Sequence, residues 1–252
     1  MKTIRFILTA FLTIALFASG CVLVDPSIGI GPIDERQSIV GSGHLVTVTL
    51  NFRDFRRIFL SHAFKARIDR GNSYSVRVET DDNIEQYVRA YQSGDGIYIG
   101  LEDNNSYGNT TLNVVMTTPD VSLIDASGAS AVSVSGFSVL HNVELVGSGA
   151  SVFKGDLNAG EVVMKLSGSS TVDLTGGADN LDIYGSGAMV LHLLHFPVKT
   201  CKADLSGGSV SDVSVSDALE LTLSGGSVFR YKGNPVMRVI SVSGGSIIQR
   251  LY

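Results

Sequence analysis

In the second half of the chain apolar and polar residues alternate, and the alternation breaks at regular intervals. Each break is a Ser-Gly pair followed by a small residue. The pairs begin at Ser127, Ser148, Ser167, Ser186, Ser206, Ser224 and Ser243, so successive copies lie 21, 19, 19, 20, 18 and 19 residues apart. A spacing held this closely over seven copies is the signature of a repeat architecture.

Alignment on the first serine makes the columns legible. Three residues before it stand Ile124, Leu145, Met164, Ile183, Ala203, Leu221 and Ile240, all apolar. Two before it stand Asp125, Val146, Lys165, Tyr184, Asp204, Thr222 and Ser241, mostly polar. Five after it come Val132, Phe153, Val172, Leu191, Ser211, Phe229 and Ile248, and six after it Ser133, Lys154, Asp173, His192, Asp212, Arg230 and Gln249. Period-two alternation on both flanks predicts strands, with the apolar columns turned inward. One coil of about 19 residues cannot bury its own apolar side, but a stack of near-identical coils can. The expectation is an all-β chain: a parallel β-solenoid of about seven C-terminal coils over residues 120–252. The Ser-Gly step is its corner, because glycine bends without a Cβ penalty and serine can bond nearby backbone. In register, the serines are expected to form hydroxyl ladders.

Residues 46–119 lack that corner but still alternate, in FKARIDRG (64–71), YSVRVET (74–80), GIYIGLE (96–102) and TLNVVMT (111–117). They predict an N-terminal β region that caps the open end of the stack. DDNIEQYVRAY (81–91) predicts a short helical turn with Asp82 or Asn83 as its cap.

The start of the chain has another purpose. Lys2 and Arg5 precede an apolar run, Phe6 to Ala18, of signal-peptide length and too short for an ordinary membrane span. It ends in Ala-Ser-Gly-Cys, which resembles the lipobox of bacterial lipoproteins. Residues 1–20 then read as a lipoprotein signal peptide, Cys21 as the lipidated residue, and residues 21–45 as the lipid attachment and a Pro/Gly-interrupted tether. A plain secretory signal with an incidental cysteine is the alternative. Cys201 is the second of two cysteines, so a disulfide would need Cys21.

The order FRRIFLSHAFKARIDRGNSYSVRVETDDNIEQYV, then SGDGIYIGL, then SGAS-type corners, then YKGNP resembles the putative auto-transporter adhesin, head GIN domain family, over roughly residues 54–250. The resemblance implies a right-handed parallel β-helix-like fold and an exported protein of the bacterial cell envelope. It brings no catalytic residue to carry over. One departure is the fourth corner, Ser186-Gly187-Ala188-Met189, where methionine replaces the second serine and interrupts any hydroxyl ladder.

Candidate chemistry is sparse. The net charge of −5 gives no basic field for nucleic acid. The column Lys154, Asp173, His192, Asp212 and Arg230 places ionisable groups on successive coils, and Asp173–His192–Asp212 is its sharpest chemical reading. The simpler reading is a charge ladder that keeps like charges apart. Cys201 falls in an apolar column with Val143, Val162, Leu181 and Leu219, as a core thiol. Asp81-Asp82-Asn83 and Glu102-Asp103-Asn104 are oxygen-rich but read as solvated turns, and His44, His62, His141 and His195 lack ligand spacing.

The expectation is a non-enzymatic envelope lipoprotein, an adhesin-like binding or scaffolding module at the outer membrane or periplasmic face, without cofactor or metal. Its partners would be the membrane through the lipid anchor and a glycan or envelope protein. The alternative is a carbohydrate-active enzyme, a polysaccharide lyase or glycosidase, working through the acidic/His stripe. A convex, charge-paired stripe favours the first; a groove with converging carboxylates favours the second.

Overall fold

The computed structural model describes residues 38–252. The signal segment, Cys21 and most of the expected tether lie outside the described residues. The strands are β1 (Ser38–Val40), β2 (Leu45–Leu50), β3 (Arg57–Leu60), β4 (Lys65–Arg70), β5 (Ser75–Asp81), β6 (Val88–Ser93), β7 (Gly96–Leu101), β8 (Ser106–Gly108), β9 (Leu112–Thr118) and β10 (Leu123–Ala126). They continue as β11 (Ala131–Ser138), β12 (Asn142–Gly147), β13 (Val152–Gly168), β14 (Thr171–Gly187), β15 (Val190–Gly207), β16 (Val210–Leu223), β17 (Val228–Lys232), β18 (Val236–Val242) and β19 (Ile247–Leu251). β1 pairs with β8, so ordered strand begins inside the segment read as a tether.

From β10 to β19 every ladder is parallel and follows the repeat. Ile124 pairs with Leu145, Leu145 with Met164, Met164 with Ile183, Ile183 with Ala203, Ala203 with Leu221 and Leu221 with Ile240. The sequence columns are therefore physical columns along the axis. All of these side chains but Ile240 are buried, and with Phe153, Val172, Leu191 and Phe229 they form one continuous core.

The corners explain the Ser-Gly letters. Gly128, Gly149, Gly168, Gly187, Gly207, Gly225 and Gly244 all have φ between 65° and 110°, a region that costs other residues free energy. A Cβ on each of the last six would also collide with the carbonyl of the corner glycine one coil earlier. That carbonyl accepts a hydrogen bond from the residue after the next glycine, as in Ala150 N to Gly128 O at 2.8 Å and Gly226 N to Gly207 O at 2.7 Å.

The serines do not form hydroxyl-to-hydroxyl ladders. In most coils the fourth corner residue is a buried serine whose hydroxyl donates to the carbonyl of the first: Ser130 to Ser127 at 2.8 Å, Ser151 to Ser148 at 2.6 Å, Ser170 to Ser167 at 2.9 Å. The first serine donates back to the preceding coil, as Ser127 does to Leu60 O at 3.3 Å. Backbone carbonyls left open by the bend are better acceptors than a neighbouring hydroxyl.

The N-terminal region is more than a cap. β10 lies parallel on β3 and β11 on β4, in register Asp125 to Phe59 and Val132 to Ala66. Ser61-His62-Ala63-Phe64 is thus a further corner, with His62 at φ 60° and Ala63 at φ 64°. On the far side of this coil sit β7, parallel to β3, and β9, parallel to β4. The cap itself is antiparallel: β6 on β7, and β5 then β2 on β9.

The expected helical turn exists as a 3₁₀ turn, Glu85–Tyr87, but Ile84 is its cap residue and no side chain caps it. Asp82 and Asn83 instead hold the segment between β1 and β2. Asp82 accepts from Ser42 Oγ at 2.5 Å, and Asn83 accepts from Ser42 N at 3.0 Å and donates to Val40 O at 2.8 Å.

Candidate functional site: a groove beside the corner

The acidic/His stripe is in register as the repeat requires. Lys154 pairs with Asp173, Asp173 with His192, His192 with Asp212 and Asp212 with Arg230. Only its C-terminal end is an interaction: Arg230 Nε and Nη2 donate to both oxygens of Asp212 at 2.5 and 2.8 Å. Lys154, Asp173 and His192 stand exposed on their strands. Among the described residues no cluster of three His, Cys, Asp or Glu could hold a metal. The oxygen-rich loops are spent on structure: Asp81 accepts from Gly43 N and Thr111 N, both at 2.7 Å. Cys201 is buried in its predicted column, and burial pushes its thiol pKa up, so it is a poor nucleophile.

A better-formed concavity lies on the other side of the corner. The column two residues before the corner serine does not stop at Asp125. It continues through Phe59 on β3, Tyr98 on β7 and Tyr91 on β6. The three rings stack face to face: Phe59 and Tyr98 at 4.3 Å and 5°, Tyr98 and Tyr91 at 4.7 Å and 9°. Tyr91, at the end of the stack, is 56% exposed, and the face turned away from Tyr98 has no aromatic partner. Arg57 caps the other end, with its guanidinium carbon 6.0 Å from the Phe59 ring centre.

These rings wall a groove of about 600 Å³ with His62, Arg89, Glu102, Asp103 and Asp125 around it. His62 is fixed by its neighbours. Leu101 N donates to its Nδ1 at 3.2 Å, so Nδ1 carries the lone pair and Nε2 turns its proton to Asp103, 3.1 Å away. Arg89 pairs with Glu102. Asp125 is half-buried, and its pKa is raised by that burial and then by the charge of Glu144. The groove continues along the axis. Asp125 is the register neighbour of Val146, where a second depression of about 480 Å³ begins and runs past Ser148, Lys165, Ser167 and Tyr184 to Asp204.

The repeat made the column from Asp125 to Ser241 readable. Phe59, Tyr98 and Tyr91 were not, because His62 stands where the corner glycine would be. The available signal was Arg-Ile-Phe-Leu-Ser at 57–61, whose Ile58 and Ser61 match Ile124 and Ser127 in spacing. Among the described residues no helix is long and apolar enough to cross a membrane.

The family profile described as putative auto-transporter adhesin, head GIN domain, matches residues 54–235. No curated protein matches the chain in sequence. Among solved structures, a putative adhesin from Bacteroides fragilis superposes with a TM-score of 0.77 at 16% identity, over 84% of this chain and 100% of that one. A putative lipid binding protein from Parabacteroides distasonis gives a TM-score of 0.69 at 15% identity, over 86% and 100%. A putative adhesin from Parabacteroides merdae gives 0.64 at 16% identity, over 86% and 100%. At these identities the likeness is one of fold.

Proposed function

The chain belongs to the putative auto-transporter adhesin, head GIN domain family, and from that premise we propose that it is a non-enzymatic binding module of the bacterial cell envelope. A lipid on Cys21 holds it at the membrane. The solenoid is the rigid stem on which the groove is displayed, and the groove takes a glycan chain laid along the axis.

The carrying observation is the Phe59–Tyr98–Tyr91 stack at the head of that groove. An open aromatic face is a platform for the apolar C–H face of a sugar ring, and such rings contribute contact area at low entropy cost. Beyond it, Asp125 and, past the apolar Val146, Lys165, Tyr184 and Asp204 on successive coils offer donors and acceptors, and the coil spacing of about 4.8 Å suits a polymer of repeated hydroxyls. The charged stripe has no comparable concavity around it, and Arg230 already engages its most buried carboxylate, Asp212.

Two measurements test this. On a glycan array the chain is expected to retain particular glycans, and Tyr91→Ala and Tyr98→Ala to lose them, while Asp173→Ala does not. Polysaccharide cleavage abolished by Asp173→Ala would overturn the reading. Cys21→Ala is expected to abolish metabolic labelling by fatty acid; labelling that persists rules out that anchor.

A further inference from the structure

The two ends of the solenoid differ, and β6, whose outer face carries Tyr91 of the proposed groove, turns its other face, with Val88 and Ala90, to a second feature. At the C-terminal end β18 and β19 each pair on one side, with β16 and β17. Met237, Ile240 and Val242 continue the core columns of Leu219, Leu221 and Leu223 past the last covered coil and are 39%, 42% and 43% exposed, and on the same two strands Val236, Val239 and Ile247 are 66%, 55% and 56% exposed. Together these six side chains leave on the order of 500 Å² of apolar surface uncovered, near the upper end for a monomer's largest patch and more than half of the roughly 800 Å² per partner of a standard interface.

At the N-terminal end β6 and β2 are likewise paired on one side only. Between them lies a slot of about 160 Å³ lined by Val48, Leu50, Val78, Val88 and Ala90. The hydroxyl of Thr80 on its wall is buried without a hydrogen-bond partner. A buried polar group of that kind costs about 1–3 kcal/mol, so the slot is the wall of an incomplete core.

We propose that the open C-terminal coil of one copy seats on the N-terminal slot of the next, so that the chains stack head to tail. The ladder order supports this occupant. β6 ends the sheet that begins at β18, and β2 ends the sheet that begins at β19. A copy displaced along the axis therefore continues both sheets across the joint. The charges also match: Arg238 and Arg250 lie on the C-terminal strands, and Glu85, with Asp82 nearby, stands exposed at the slot. Two C-terminal ends meeting about a two-fold axis would instead set those arginines against each other. A head-to-tail contact uses two different surfaces and does not close, so it grows.

Sedimentation equilibrium of the full chain in density-matched detergent, over a wide concentration range, is the test. The mass is expected to rise beyond that of two copies. Ile247→Glu and Val88→Glu are each expected to give monomers. An equal mixture of the two is expected to stop at twice the monomer mass, since each variant keeps the surface that the other lacks. If Val88→Glu loses the β-sheet circular dichroism signal, Glu85→Arg, on an exposed side chain, replaces it. A monomer at every concentration overturns the proposal. So does a dimer that saturates and is indifferent to changes at residues 88 and 85, the mark of a two-fold contact.

Discussion

Met189 occupies the space that a side chain at Gly185 would need. A Cβ built on Gly185 overlaps the Met189 methyl and lies 2.8 Å from its sulfur. In the neighbouring coils the position of Gly185 is Leu166 and Leu205, and Met189 stands where a corner serine is buried in most other coils. The departure at the fourth corner is therefore a paired exchange of volume. It keeps the core filled where the serine bond is lost.

That pairing predicts strong coupling. Gly185→Leu alone overfills the coil and is expected to cost about 1–3 kcal/mol. Met189→Ser alone leaves a void and is expected to cost about 2–4 kcal/mol. The double variant restores the pattern of the adjacent coils, and most of both losses should return, as a coupling of about 1–3 kcal/mol in a urea double-mutant cycle. Additive losses would show that the two sites do not share space.

The two glycines of the Ser-Gly-Gly-Ser corners have unequal duties. Gly207 has φ 89°, and a Cβ there would sit 2.6 Å from Gly187 O. Gly208 has nothing within 4 Å of its Cβ position, and Ala129, Ala150 and Ala188 hold the same place in earlier coils. Gly207→Ala is expected to destabilise by about 2–4 kcal/mol, from backbone strain and the collision. Gly208→Ala is expected to be neutral or to stabilise by up to about 1 kcal/mol through the unfolded chain. Thermal melts of the two variants, compared directly, check the difference.

The same contrast shows what was readable in the letters. Columns repeat because each coil buries its side chains against the equivalent side chains of the next, so Ile124 to Ile240 could be placed without coordinates. The fate of the serine hydroxyls could not be placed, since it depends on which carbonyls the bend leaves open. Nor could the coil made by β3 and β4: His62 and Ala63 adopt positive φ without glycine, and the chain visits the cap between that coil and β10. Pairing across a long insertion leaves no period behind it. The aromatic stack, assembled from β3 and from β6 and β7 inside that insertion, was hidden for the same reason.

Ser211 breaks the inward column between Leu191 and Phe229, and its buried hydroxyl has no hydrogen-bond partner. Ser211→Ala removes an unsatisfied group at little cost in volume, and a gain of about 1–2 kcal/mol is expected. Ser211→Val, which also fills the column, should do at least as well. A loss of stability in denaturant titration for both would mean that the hydroxyl has a partner in solution.

Two raised groups, His141 and Asp125, lower stability as pH rises, whereas Asp82 and Asp95, held down by Ser42 and by Arg56, act the other way in acid. His141 is held charged by its contact with Asn142 O and by Asp120 at 2.8 Å, so its pKa is raised. Its contribution is complete below the unfolded value, about 6.5, and is lost as pH rises through the folded value. Asp125 is also raised, by burial first and then by Glu144. The folded state holds this proton more tightly than the unfolded chain does, so stability again falls as pH rises, now from the ordinary carboxylate range upward. The two are separable by mutation. Asp125→Asn is expected to stabilise the protein at neutral pH and to make no difference in acid, where wild type carries the proton itself. His141→Gln is expected to remove the decline around and above neutrality and to leave the acid branch intact. Denaturant midpoints measured from pH 3 to pH 9 resolve the two branches, and an Asp125→Asn curve parallel to wild type throughout would contradict the burial of that carboxyl.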